Sequence, residues 1–324
     1  MDANKTPIRA SNLVKHFVKK QSFLARLRKD PVFNVPAVDN VSLDIKMGET
    51  LGLVGESGCG KSTLGRTLVG LYPVTGGEIE LYGKKVGDRR TLEERRTVQM
   101  IFQDPFSSLN PRMTIGDMLS EALLFHHLVA KDKVEARCKE LLSLVGLPTD
   151  SLGSYPRQFS GGQRQRIGIA RALALEPKIL IADEVVSALD VSVQASVVNL
   201  LMDLKRDLGL TMLFISHNIA IVRQVSDHIA VMYLGRIVEI GPTEVVFNNP
   251  SHPYTKLLLS SVPKMSAGSQ ISAAPPGELP SMQSAMTGCR FRSRCPVAIA
   301  ECATIDPDLY SIANDHQAAC LLVK

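Results

Sequence analysis

Eight consecutive residues, Gly55-Glu56-Ser57-Gly58-Cys59-Gly60-Lys61-Ser62, match the pattern G-x-x-x-x-G-K-S/T in full. Glycines at this spacing let the backbone curl so that several N–H groups point inward, and a following helix adds the partial positive charge of its N-terminus. That is a cradle for phosphate. Lys61 would reach the outer phosphates of a nucleotide and the Ser62 hydroxyl would hold Mg²⁺, with Thr63 beside it. A second group of residues, Ile179-Leu180-Ile181-Ala182-Asp183-Glu184, is an apolar run ending in two carboxylates. Asp183 suits Mg²⁺ contact, and Glu184 suits polarising an attacking water as a general base. Alone, such a pair usually marks only a strand end; together with the phosphate loop it marks a hydrolytic site. A second glycine-rich turn, Phe159-Ser160-Gly161-Gly162-Gln163, lies far from the first. It implies that two copies of the domain close over one nucleotide.

These groups require particular elements to carry them. Thr50 to Val54 reads as a short buried strand feeding the phosphate loop, and Ser62 to Leu71 as the helix leaving it. Ile8 to Phe17 and Val38 to Ile45 alternate as strands do, with Met47-Gly48-Glu49 as a turn, and Glu78 to Tyr82 is a further strand stopped at Gly83. From about Asp104 to Tyr155 the pattern is helical, clearest at Gly116 to His127 and Lys133 to Val145. Gln163 to Leu175 is a helix stopped before Pro177. Lys178 to Ala182 and Thr211 to Ile215 are apolar strands separated by the helix Val191 to Leu208, the alternation of a parallel sheet with covering helices. His228 to Tyr233 and Arg236 to Ile240 form a hairpin across Leu234-Gly235. Ser, Ala, Gly and Pro then dominate from Pro263 to Pro280 as a linker, before a cysteine-bearing tail.

At 324 residues the chain suits one large domain plus an appendage. The first residues are polar and lack the core of a signal peptide, and every apolar stretch is too short to span a membrane. A cytoplasmic chain is expected, with membrane contact only through partners. Lys and Arg number 37 against 32 Asp and Glu, a net charge of +5, and they are spread along the chain. With no clustering of basic and aromatic residues, nucleic-acid binding is not expected. A basic insertion from Lys19 to Lys29 reads as an exposed loop.

The three groups, taken in order, resemble an ATP-binding-cassette (ABC) ATPase subunit over roughly Ile8 to Pro263. The resemblance implies an α/β P-loop NTPase fold: a RecA-like parallel-sheet core, an antiparallel β subdomain, an inserted helical subdomain and a small cysteine-bearing C-terminal extension. It places the cassette at 1–262, with the helical part at about 104–160, and the linker and extension at 263–324. By the same resemblance, Phe17 stacks on adenine, with Phe33 as the alternative. Gln103 senses the γ-phosphate and helps hold Mg²⁺ with Ser62 and Asp183. Ser160, Gly161, Gly162 and Gln163 contact the nucleotide of the opposite protomer. Ser187-Ala188-Leu189-Asp190 communicates across the dimer, and His217 is a switch beside the γ-phosphate. The catalytic set is then Glu184, His217, Lys61 and Gln103. One departure stands out: Val185 occupies a place where the family has proline, with an extended backbone still favoured by β-branching.

Val231 to Gly241, Asn249 to Pro263 and Asp190 to Ala195 are similar to the dipeptide/oligopeptide importer ATPases, with nickel importers as an alternative of the same branch. This similarity implies ATP-driven peptide uptake at the cytoplasmic face of the inner membrane. The implied partners are a second, different cassette chain, two transmembrane permease subunits and an extracytoplasmic solute-binding protein. Soluble ABC proteins of repair or translation are the rival class; they usually carry two cassettes in one chain. Cys289, Cys295, Cys302 and Cys320 follow C-x5-C-x6-C-x17-C. Four thiols in a cytosolic tail suit zinc or an iron–sulfur cluster, or stay unligated. Similar tails favour a four-iron four-sulfur cluster. Cys59, inside the phosphate loop, is expected to confer sensitivity to thiol reagents.

Overall fold

The structure, a computed structural model, describes residues 6–18, 34–104, 108–260 and 287–323. The basic insertion, Phe33 and the Pro263 to Pro280 linker lie outside the described residues. Strands β1 (Ile8–Val18) and β2 (Asn34–Ile45) pair antiparallel, and β3 (Thr50–Val54) enters a second sheet. β4 (Gly76–Leu81) and β5 (Lys84–Val86) return to the first, giving the order β2-β1-β4-β5. The larger sheet gathers β3 with β6 (Val98–Ile101), β7 (Ile179–Asp183), β8 (Thr211–Ile215), β9 (His228–Tyr233), β10 (Arg236–Pro242), β11 (Tyr310–Ala313) and β12 (His316–Ala318). Its order is β11-β12-β10-β9-β3-β8-β7-β6. The five strands from β9 to β6 in that order run parallel, and the remaining pairings are antiparallel.

Period-2 alternation sorts each central strand between two cores. Ile179 and Ile181 of β7 and Leu213 and Ile215 of β8 face the antiparallel sheet and helix α1 (Lys61–Leu68). Leu180, Ala182, Met212 and Phe214 face the other way, toward the helical region. Burial on both faces explains why these strands read as unbroken apolar runs rather than as alternating ones.

Helix α2 (Leu92–Thr97) precedes β6, and α3 (Ile115–Phe125), α4 (Val134–Leu144) and α5 (Gly161–Leu173) follow it. Capping boxes start several of them: Thr91 with Glu94, Thr114 with Asp117, and Ser160 with Gln163. α6 (Val191–Leu208) ends on Gly209 in the left-handed conformation. α7 (Ile219–Val225), α8 (Thr243–Asn248) and α9 (Pro253–Ser260) complete the set. α1 stops at Leu68, short of the expected Leu71, because the chain turns at Gly70 with φ of 85°.

The C-terminal extension packs onto the cassette. β12 pairs with β10 through Glu239–Ala318 and Ile240–Gln317, so the tail lengthens the larger sheet. Glu239 is fully buried and accepts hydrogen bonds from Ser251 N–H (2.8 Å) and His252 N–H (3.0 Å), with His316 Nε2 at 2.8 Å. Phe291, also from the tail, is buried against Tyr233 and Tyr254, with ring centroids 5.3 and 5.5 Å away.

Candidate nucleotide site

The phosphate loop spans the gap between β3 and α1 at the edge where the parallel strands end. Gly60 has φ of 111°, and a Cβ there would run into the carbonyl oxygen of Ala37. Only glycine fits that turn. The loop is held from outside itself: Cys59 O accepts from Gly235 N–H of the β9–β10 turn (2.8 Å), and Glu56 N–H donates to Tyr254 Oη (2.9 Å). Lys61 is buried and its ammonium donates to Gly55 O (2.8 Å) and Glu56 O (3.0 Å). Ser57 and Gly58 form the exposed crest of the loop, and Thr63 lies on the first turn of α1. Cys59 has no exposure, and burial pushes its thiol pKa up, which opposes the expected thiol sensitivity.

At the end of β7, Asp183 accepts a hydrogen bond from Ser62 Oγ (2.7 Å). Its other oxygen is buried with no hydrogen-bond partner among the described residues, and the Arg66 guanidinium stands 3.9 Å away. Burial raises the Asp183 pKa against the opposing pull of Ser62 and Arg66. A hydroxyl beside a carboxylate with one unspent oxygen is a donor set that fits Mg²⁺.

Glu184 is the hub of the site. Gln103 Nε2 donates to its Oε2 (3.2 Å), His217 Nδ1 lies 3.2 Å from the same oxygen, and Lys61 Nζ is 3.9 Å from Oε1. The sequence places these residues far apart; the fold brings Gln103, His217 and Lys61 within reach of one carboxylate. The expected extended backbone is not found, since Glu184 has φ of 47°. The chain turns sharply off β7 and is held there by Glu184 N–H to Ile215 O (2.9 Å) and Ser187 Oγ to Glu184 O (2.9 Å). A non-glycine residue in this region costs roughly 1–3 kcal/mol, and such strain gathers at functional sites.

Phe17 is more than one-third exposed and meets Tyr72 edge-on at 5.3 Å, with Lys15 Nζ 5.1 Å from its ring centre. Tyr72 was not anticipated from the sequence; its hydroxyl accepts from Arg66 (3.2 Å), linking the aromatic pair to α1. Ser160 and Gln163 are exposed and cap α5 reciprocally. Gly162 is buried, and a Cβ there would strike Val193 of α6. Asp190 is exposed at the start of α6, where Gln194 Nε2 ties down Val186 O and Leu189 O at 2.9 Å each. Asn218, next to His217, caps α7 and fixes the loop that presents the imidazole. Gln194 and Asn218 also escaped the sequence reading, because a lone amide carries no signature outside its fold.

Residues 38–187 match the family described as ABC transporter, and residues 238–302 match that described as oligopeptide/dipeptide transporter, C-terminal region. A protein of Brucella abortus (strain 2308) named "Putative peptide import ATP-binding protein" is 48% identical over 325 residues, covering 99% of this chain and 95% of the relative. The chain is a member of the ABC transporter ATP-binding family. A Brucella ovis relative with the same description is 50% identical over 288 residues, 88% of this chain and 91% of its own length. Among solved structures, the dimeric cassette MJ0796 bound to ADP and Pi superposes with a TM-score of 0.63 at 28% identity, over 73% of this chain and 98% of that one. The cassette cbiO1 of Clostridium perfringens gives 0.62 at 25% identity, over 76% and 92%. As an ABC cassette the chain is an ATPase that works with ATP and Mg²⁺. Among its described residues no helix is long and apolar enough to cross a membrane.

In this cassette the four tail cysteines line one small cavity with His252, Phe291 and Pro307. Burial pushes the Cys289 thiol up to about 11. Among the described residues, however, no three His, Cys, Asp or Glu side chains stand close enough to hold a metal ion. The four cysteines share a cavity with apolar side chains, but they do not stand as a group that could hold a metal ion.

Proposed function

We propose that the cassette hydrolyses ATP to drive uptake of di- or oligopeptides, as a peripheral subunit on the cytoplasmic face of the inner membrane. The convergence of Gln103, His217 and Lys61 on Glu184 carries the catalytic part of this reading. Lys61 lies where it can neutralise outer-phosphate charge, and loop N–H groups would bind the remaining oxygens. Glu184 accepts a proton from the attacking water while Gln103 and His217 hold its carboxylate and the water in line. Ser62 and Asp183 would hold Mg²⁺, which supplies charge neutralisation between the phosphates. Phe17 offers its exposed ring to adenine. Gly55 to Thr63 of one cassette and Ser160 to Gln163 with Asp190 of another would enclose each ATP, consistent with the dimeric, nucleotide-bound relative. Glu184→Gln should cut turnover by roughly 10²-fold or more while ATP binding persists; an unchanged turnover rate would remove Glu184 from the role of base.

The peptide substrate is supported by similarity along 99% of the chain to a protein described as importing peptides, and by the match of its C-terminal region. Permease contact is supported by a groove of about 700 Å³ between the sheet edge and the helical region. Leu71, Phe102, Met113 and Phe125 line it together with Arg95, Glu121 and Arg171, suiting an amphipathic helix from a membrane subunit. A solute-binding protein and a second, different cassette chain complete the proposed assembly. Deleting the chain and measuring uptake of labelled peptides and of nickel separates the two substrates: loss of nickel uptake alone would overturn the peptide reading. A four-iron four-sulfur cluster in the tail rests on donor type and number, and it requires the sulfurs to draw closer than they stand. Iron and acid-labile sulfide analysis of anaerobically isolated protein decides it, with an iron-free, transport-competent preparation as the contrary result.

A further inference from the structure

The phosphate loop contains a carboxylate. Glu56 is its second residue, and an unpaired negative charge there would oppose a triphosphate. Its partner comes from the other end of the chain: Arg294 Nη1 donates to Oε2 (2.9 Å) and Nη2 to Oε1 (2.8 Å), a bidentate pair. The guanidinium is buried at 6% side-chain exposure, lies over the rings of Tyr233 (5.9 Å) and Phe291 (6.0 Å), and has its pKa raised by Glu56. It belongs to the segment between Cys289 and Cys295, which also sends Arg290 to Asp39 and to the carbonyl oxygen of Leu234 in the β9–β10 turn. That turn is the one whose Gly235 N–H holds Cys59 O. Tyr254, which receives the Glu56 N–H, packs on Phe291 of the same segment. The tail therefore reaches the loop through its charge, its turn and its aromatic support.

We propose that Arg294 is a positioning residue of the nucleotide site, supplied by the C-terminal extension, which neutralises Glu56 so that the loop accepts a triphosphate. The inference rests on the reading of Gly55 to Ser62 as the ATP site. ATP binding by the wild-type protein tests that reading, whereas the variants test Arg294. The experiment is calorimetric titration of Mg²⁺ with ATP or ADP into the full-length chain, as wild type, Arg294→Met, Arg294→Lys, Glu56→Gln and Glu56→Gln/Arg294→Met. Arg294→Met should weaken ATP roughly tenfold and ADP less, since exposing one like charge acts most on the more charged ligand. Glu56→Gln alone sets the reference affinity of a loop that lacks this carboxylate. In the double variant the repelling charge is gone, and ATP affinity should return to within about threefold of wild type. Arg294→Lys, which keeps the charge, should stay in the same range. A merely structural arginine would leave the double variant as weak as Arg294→Met or weaker, and that result overturns the proposal. Equal affinity for Arg294→Met and wild type overturns it as well. Should Arg294→Met fail to fold, a tenfold loss of ATP affinity in Arg294→Lys would serve as the contrary result.

Discussion

The raised pKa of Asp183 has a directional consequence. Burial disfavours its carboxylate, so its proton is held to higher pH than on an exposed aspartate. Only the ionised form ligates Mg²⁺, so Mg²⁺-dependent nucleotide binding should weaken as pH falls, starting above the ordinary carboxylate range. Titrations between about pH 8 and about pH 5 should show a steeper slope in wild type than in Asp183→Asn; both share the ionisation of the nucleotide itself, so the difference belongs to the carboxyl. Parallel profiles would mean that Asp183 does not act as a ligand. Residues of this kind were legible in the sequence because their chemistry dictates their type: a phosphate loop needs its lysine and a hydrolytic strand end needs its acids. Their supports were not. Arg294 and Glu56 are 238 positions apart, and no local pattern marks an arginine as the partner of a particular glutamate.

Among elements, the junction between β10, α9 and the tail is set by a buried polar cluster with its own pH response. His252 Nδ1 accepts from Tyr254 N–H (3.0 Å), which requires a neutral ring, and burial lowers its pKa to about 4. The unfolded chain takes up a proton near pH 6.5, whereas the folded chain refuses it until about 4. Stability is therefore complete above the unfolded value and is lost as pH falls through that window, by on the order of 3 kcal/mol. Chemical denaturation at pH 7 and pH 5 should show roughly half of that loss in wild type and less in His252→Phe; equal losses would place the response elsewhere. The main elements were readable because period and apolarity marked them, notably β3, β7 and β8. β6 was missed because Val98–Ile101 is a four-residue run directly after a charged helix. β12 was missed because His316–Ala318 carries no apolar alternation, and its place depends on a two-residue register with β10. The tail thus read as an appendage, although its strand belongs to the main sheet.

At the scale of the whole molecule, the proposed second cassette would meet the face that carries the second glycine-rich turn. Ser160 and Gln163 are exposed on it, and their capping box keeps the N-terminus of α5 aimed outward. Two neighbouring glycines there answer different demands. Gly162 is needed by the fold, because Val193 occupies the space of any side chain, whereas a Cβ on Gly161 would meet only Leu189 at an ordinary 3.5 Å. Gly161 is therefore free for an intermolecular role, and Gly161→Asp separates closure from folding. An aspartate on the first turn of a helix favours the helix dipole, so thermal stability and ATP binding by single cassettes should hold. Placed against the phosphates of a nucleotide carried by the opposite cassette, the same carboxylate repels them. In a Glu184→Gln background, ATP should drive association of the parent but not of Gly161→Asp, as sedimentation velocity with and without Mg²⁺ and ATP would show. Closure can be driven only by the difference in nucleotide affinity between open and closed states, and this substitution removes that difference while leaving the open state intact. Undiminished association of Gly161→Asp would mean that the second glycine-rich turn does not face the nucleotide.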